Sequence, residues 1–90
     1  GTFFTTGLKY RMSDEKIKLL QEFLNTDPDT EVTDSGAGSS GNETNYFGEL
    51  TLRAVERFQV KHSIATKNDL GYGSVGPKTR AKLNDLLGTQ

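Results

Sequence analysis

The side chains able to do chemistry in this chain are few and scattered. There is one histidine, His62, and no cysteine, so thiol nucleophiles and thiolate metal sites are excluded. A zinc centre needs three or four ligands, and His62 would have to recruit carboxylates unaided. Its place at the end of an amphipathic segment reads instead as a helix-end histidine favoured by the C-terminal dipole. Asp27, Asp29, Glu31 and Asp34 alternate loosely, as calcium ligands do. However, Val32 and Gly38 stand where an EF-hand loop needs its sixth-position glycine and its twelfth-position glutamate. A solvated acidic loop is expected there, and no metal site. A glycosidase needs two carboxylates across a cleft, one raised in pKa by burial. Here every Asp and Glu falls in a polar loop or on a helix exterior. No Ser-His-Asp arrangement with a plausible elbow and no phosphate-cradling glycine loop is present. The chain reads as non-catalytic, without metal or cofactor.

What remains is recognition chemistry. Tyr46 and Tyr72 flank two turns, and an aromatic face with a hydroxyl suits a pyranose ring or a peptide edge; either ring could equally lid a small core. Gln59 is an amide on an otherwise charged helix. It could hydrogen-bond an acetamido group or a peptide, or brace the turn that follows. Arg80 and Lys78 can pair with a carboxylate, Arg80 through a bidentate fork, although a solvated helix face also accounts for Lys78. With Ser74 of the second turn, the candidate set is Tyr46, Gln59, Tyr72, Ser74, Lys78 and Arg80. Arg53 and Arg57, with Glu49 and Glu56 around them, read as surface ion pairs.

These residues sit on a pattern that occurs twice, 28 positions apart. Tyr46-Phe47-Gly48-Glu49-Leu50-Thr51 opens one amphipathic segment and Ser74-Val75-Gly76-Pro77-Lys78-Thr79 opens another. In both, an apolar residue precedes Gly and Thr follows it three positions later. Each copy predicts a tight turn feeding a helix, with the Thr51 and Thr79 hydroxyls capping the start and Gly48 and Gly76 giving the turn room. Phe47, Val55, Phe58, Val75 and Leu83 are expected in the core. The second helix should run from about Glu49 to Lys61, with Leu50, Ala54, Val55 and Phe58 on one face and Ile64 in its exit turn. The third starts with Pro77 at its first position, buries Leu83, Leu86 and Leu87, and stops at Gly88. Before both, Ser13 can cap a first helix carrying Ile17, Leu20, Phe23 and Leu24, which ends near Asn25 because Pro28 forbids continuation.

The connections are long. Residues 1–12 form an arm with Phe3, Phe4, Leu8 and Tyr10, expected to fold against the body. Residues 27–45 form a polar loop, interleaved with Gly36, Gly38 and Gly41, that reads as mobile, with a short extended piece near residues 30–33 anchored by Val32. A second loop, 65–74, carries Gly71 and Gly73 around Tyr72. The expected fold is all-α, a small three-helix bundle with long loops.

Ninety residues make one small domain that buries roughly 60–65% of its unfolded surface. Acidic and basic residues nearly cancel at net −1 without runs of like charge, which argues against nucleic-acid or anionic-membrane partners. No apolar stretch approaches the roughly 20 residues needed to span a bilayer. A chain opening on Gly1 is expected to be a monomeric piece of a longer polypeptide.

The motifs taken together resemble the peptidoglycan-binding-like domain family, short three-helix modules attached to cell-wall hydrolases, amidases and spore-coat lytic enzymes. The family pattern is a Leu-Gln pair in the first helix, then aromatic-Gly-x-x-Thr-x-x-Ala-Val-x-x-Phe-Gln. Here these are Leu20-Gln21 and the run from Phe47-Gly48 through Thr51 and Ala54-Val55 to Phe58-Gln59. The closing element, Gly-x-Val-Gly-Pro-x-Thr-Arg-x-x-Leu, is the run from Gly73 to Leu83. The resemblance covers about Leu8 to Leu87, so a domain over 8–88 is expected. Two departures stand out: the stretch before the first helix, Tyr10-Arg11-Met12-Ser13-Asp14, lacks the family's usual glycine, and the 27–45 loop exceeds the compact form.

The resemblance implies a secreted or cell-envelope bacterial module that docks peptidoglycan, through its glycan or its stem peptide, in a shallow groove between helices. It would concentrate an attached hydrolase or other wall protein on the polymer. The alternative is a protein-interaction, regulatory or spacer domain of the same fold, like the pro-domain portion of some metalloproteases.

Overall fold

The computed structural model describes residues 3–88; Gly1, Thr2, Thr89 and Gln90, including the first two residues of the expected arm, lie outside it. Three helices, α1 (Glu15–Leu24), α2 (Glu49–Lys61) and α3 (Pro77–Gly88), carry the chain, and no strand occurs among the described residues. The domain is an all-α three-helix bundle, as its periodicity predicts. The limits of α2 and the start of α3 at Pro77 also agree with the sequence reading.

The cap of α1 is Asp14 rather than Ser13: the Asp14 carboxylate accepts the Lys16 N–H at 2.8 Å. Ser13 is instead drawn into a backbone bridge with Tyr46. At the other end, Asn25 closes α1 by donating its N–H to the Gln21 carbonyl at 2.9 Å. On α2, the buried positions are Thr51, Ala54, Val55, Phe58 and Gln59. Thr51, Ala54, Val55 and Phe58 follow the i, i+3, i+4, i+7 spacing of a single helical face. Leu50 lies one residue, about 100°, off that stripe and is 52% exposed, contrary to expectation. In α3 only Thr79 and Leu83 are buried, with Leu86 and Leu87 packed partly against the core. The core is completed from outside the helices by Phe4, Leu8, Val32, Phe47 and Val75. Each such side chain gains about 1.5–3 kcal/mol from leaving water.

Two buried amides connect the helices, and they explain why a threonine is buried near the start of α2 and of α3. Gln21 of α1 donates to Thr51 Oγ1 at 3.0 Å and to the Tyr46 carbonyl at 3.1 Å, while its oxygen accepts the Thr44 N–H at 2.6 Å. Gln59 of α2 repeats the arrangement. It donates to Thr79 Oγ1 at 3.1 Å and to the Ser74 carbonyl at 2.9 Å, and accepts the Gly73 N–H at 2.8 Å. Thr51 and Thr79 are therefore not helix caps, as the sequence suggested. Their hydroxyls accept from the preceding helix's glutamine, and Gly48 caps α2 without any side-chain bond.

The glycine roles also shift. Gly76 has nothing within 4 Å of an added Cβ and needs no special φ. The demanding position is Gly73, where φ is +87° and a Cβ would stand 2.5 Å from Leu52 Cδ1.

The N-terminal segment runs along both turns. Leu8 and Val75 exchange backbone bonds, Arg11 N–H reaches the Phe47 carbonyl, and Phe47 N–H reaches the Met12 carbonyl. Farther upstream, the Asn84 carboxamide of α3 accepts the Phe3 and Phe4 N–H groups and donates to the Phe4 carbonyl. The described part of the arm is thus packed on the body as expected. Just before α1, where no glycine stands, Arg11 takes φ +77°, in the left-handed region that favours glycine.

The 27–45 loop is organised where the sequence suggested a mobile excursion. Asn25 donates to the Gly38 carbonyl and to Glu43 Oε2, both at 2.9 Å, and its oxygen accepts the Val32 N–H at 2.8 Å. Thr30 and Val32 are buried; Thr30 stands in a turn, and residues 31–33 form no strand. Arg57 donates to the Asp29 and Glu31 carbonyls, correcting its assignment as an ion-pair partner. Lys61 bonds the Asp27 and Asp29 carboxylates.

Replacing Gln59 by leucine keeps the volume but removes the amide from its partners, of which Thr79 and Gly73 are buried. Chemical denaturation should show a loss of about 3 kcal/mol or more. Arg11→Gly, which relieves the left-handed strain, should raise stability by up to about 1 kcal/mol in the same assay.

Candidate functional site

Each glutamine holds a turn against the start of the next helix, and beside each braced turn lies an open groove. The larger, about 370 Å³, opens between the end of α2, the 65–74 loop and the start of α3. Its floor is largely apolar, from Ile64, Ala65 and Pro77, with Leu70 at the rim, while Ser74 and Lys78 stand at its polar side. Asp69 also borders it, but its carboxylate is engaged by the Thr66 N–H at 2.7 Å and hydroxyl at 3.3 Å. Lys78 is exposed and takes part in no ion pair among the described residues. The groove's net character is an apolar trough with one available cation.

The smaller groove, about 200 Å³, lies at the equivalent place on the first copy. Tyr46, Gly48, Glu49, Leu50 and Thr51 line it where Ser74, Gly76, Pro77, Lys78 and Thr79 line the larger one. The 27–45 loop supplies its outer wall through Val32, Ala37 and Gly38.

The six candidate residues divide accordingly. Ser74 and Lys78 meet in the larger groove, and Tyr46, 49% exposed, is in the smaller one. Gln59 borders the larger groove from beneath but is 1% exposed and braces the turn, its amide also reaching the Gly71 carbonyl at 3.1 Å. Tyr72 is half-buried and lines neither groove. Arg80 is likewise turned away. Its guanidinium donates to the Val75 carbonyl at 3.2 Å and lies beside Gly7 of the arm. The reason is geometric: Arg80 is two residues, about 200°, beyond Lys78 on α3.

Sequence reasoning placed Leu50 on the core face of α2 and passed over Leu70 and the loop wall. Leu50 carries the signal of an apolar residue just off the core stripe, and Leu70 that of a lone leucine in a polar glycine loop. Nothing in the local pattern announces Val32, Ala37 and Gly38 as a wall, because long-range bonds from Asn25 place them.

Away from both grooves, Phe23, Phe58 and His62 form an aromatic row at the end of α2. Phe23 meets Phe58 edge-on with centroids 6.1 Å apart, and Phe58 meets His62 at 4.5 Å. Burial, with Lys82 and Lys61 nearby, pushes the His62 imidazole below its ordinary pKa, outweighing the helix dipole expected to favour its charge. The hydrogen bond from Lys61, with that from the Asp29 backbone, holds the Asp27 carboxyl below its usual range. The Asn25 amide does the same for Glu43. Among the described residues no cluster of three or more His, Cys, Asp and Glu side chains could hold a metal ion, and no helix is long and apolar enough to cross a membrane.

No family model, curated protein or solved structure matches this chain.

Because the His62 pKa is depressed on folding, neutral His62 favours the fold above about 6.5, and that contribution fades as pH falls through the folded-state pKa. Proton NMR of the imidazole should give a midpoint under 6.5, and Lys82→Ala should move it upward.

Proposed function

We propose that this domain is a non-catalytic cell-wall-binding module that holds an attached hydrolase, or another wall-associated protein, on peptidoglycan. The observation that carries this reading is the groove at the start of α3. It combines an apolar trough of about 370 Å³ with an available cation at Lys78 and a serine at its edge. A stem peptide offers matching chemistry, with short aliphatic side chains for the trough and a free carboxylate for Lys78. The resemblance of the two Gly-x-x-Thr turns to peptidoglycan-binding-like domains points the same way. A groove this open on a surface this small favours weak affinity, and the benefit of such a module is effective concentration: a weakly held tether still keeps its enzyme near the polymer.

One feature favours a second reading, docking of a partner protein. Leu70, at the rim of the same groove, is fully exposed, and an uncovered leucine beside an apolar trough is the kind of anchor a protein interface covers.

Sedimentation with purified insoluble peptidoglycan tests the proposal. Wild type should pellet with the wall material, and Lys78→Glu, at an exposed position that leaves the fold intact, should reduce the bound fraction about tenfold, roughly 1.4 kcal/mol. A wild-type domain that stays in the supernatant with every peptidoglycan type tried would sink the wall-binding reading and leave protein docking.

A further inference from the structure

Building on the wall-binding reading, we infer that the smaller groove is a separate subsite for an uncharged glycan ring, while the groove at Lys78 takes the charged peptide part of the polymer. The two grooves occupy equivalent places on the repeat and differ in chemistry. Where the second copy has Ser74, Pro77 and Lys78, the first has Tyr46, Glu49 and Leu50.

Tyr46 is an exposed aromatic whose ring packs over Gly48. A Cβ added to that glycine would lie 3.3 Å from the ring, so the glycine lets the ring settle onto the turn. Beside it, Leu50 leaves half its surface in water without any protein partner to justify it. A pyranose has one apolar C–H face and a rim of hydroxyl and amide groups. Its face suits the Tyr46 and Leu50 side chains, and its rim suits an acceptor such as Glu49.

Charge decides which part of the polymer goes where. No basic residue lines the smaller groove, and Glu49 sits on its edge, with Arg53 3.6 Å away as a loose, exposed partner. A stem carboxylate is repelled there and attracted to Lys78; a neutral acetylated sugar meets no such penalty. The long loop gives the subsite its far side. Asn25 fixes Val32 and Gly38 from α1, and Gly38, at φ +95°, leaves only 3.1 Å between an added Cβ and Val32 Cγ1. The wall is therefore set before any ligand arrives. The bracing residues Thr51 and Gln59 are eight positions apart on α2, about 12 Å along its axis, so both grooves fall within reach of one polymer.

The test is amide NMR of the 90-residue chain titrated with a neutral β-1,4-linked N-acetylglucosamine tetramer, and separately with a free stem tetrapeptide. The sugar should shift amides of residues 37–38 and 48–51 saturably and leave 74–78 in place; the peptide should do the reverse. Tyr46→Ala and Leu50→Ser, both at exposed positions, should each weaken the sugar response about tenfold while preserving the remaining spectrum. Sugar shifts confined to residues 71–79, or none at millimolar sugar, would overturn the glycan assignment. If the domain still sediments with peptidoglycan in that case, only this subsite falls and wall binding stands. Sugar shifts at 48–51 in a domain that does not sediment would keep the subsite and discard wall binding.

Discussion

Two buried glutamines hold this domain together, and most other features of the fold answer to them. A carboxamide taken out of water must find partners for both its oxygen and its N–H groups, or the fold loses stability for each one left unmet. Gln21 and Gln59 meet that demand by gathering a carbonyl, a threonine hydroxyl and a backbone N–H from the turn and helix that follow. Because the partners are directional, the turn can take only one path. Each helix start is thereby fixed to the helix before it, which a small apolar core alone would specify poorly. No buried side-chain polar atom among the described residues lacks a partner.

The same bracing gives the surface its form. A turn held from beneath cannot collapse onto the next helix, so a groove stays open beside it. Two copies of the brace yield two grooves, and what differentiates them is what the chain adds around the shared frame. The second copy is bordered by the short 65–74 loop, Lys78 and the uncovered Leu70. The first is bordered by the long 27–45 loop, Tyr46 and Glu49. The long loop is held from three directions: Asn25, which closes α1, from within, and Arg57 and Lys61 of α2 from outside. A polar, glycine-containing segment can thus hold one shape without a core of its own, provided neighbouring helices supply its bonds.

Some positions run against local preference, and the tertiary contacts explain why they persist. Arg11 occupies a left-handed conformation because its N–H must reach the Phe47 carbonyl. His62 is less basic than a helix-end position would make it, since the packing of its ring on Phe58 removes water from it and two lysines lie close. Leu50 and Leu70 stay in water because the stripe of α2 and the span of the 65–74 loop leave them nothing to pack on.

By itself the sequence determined the class of fold: three amphipathic segments, their breaks at Pro28, Gly48 and Pro77, and nearly every apolar core position follow from period and turn chemistry, which are local. It also disclosed the repeat, and so the existence of two equivalent turns. What it could not disclose is the partner of each polar group. Thr51 and Thr79 read as caps and Gln59 as a possible ligand contact, because a hydroxyl or amide looks the same in sequence whether it bonds its own helix, another helix or a ligand. Arg80 and Lys78 likewise look interchangeable until helical phase turns one to the arm and the other to a groove. Those choices belong to the tertiary structure alone, because a hydrogen bond is fixed by distance and direction, and residues 20 to 30 positions apart come to 3.0–3.1 Å only once the helices have packed.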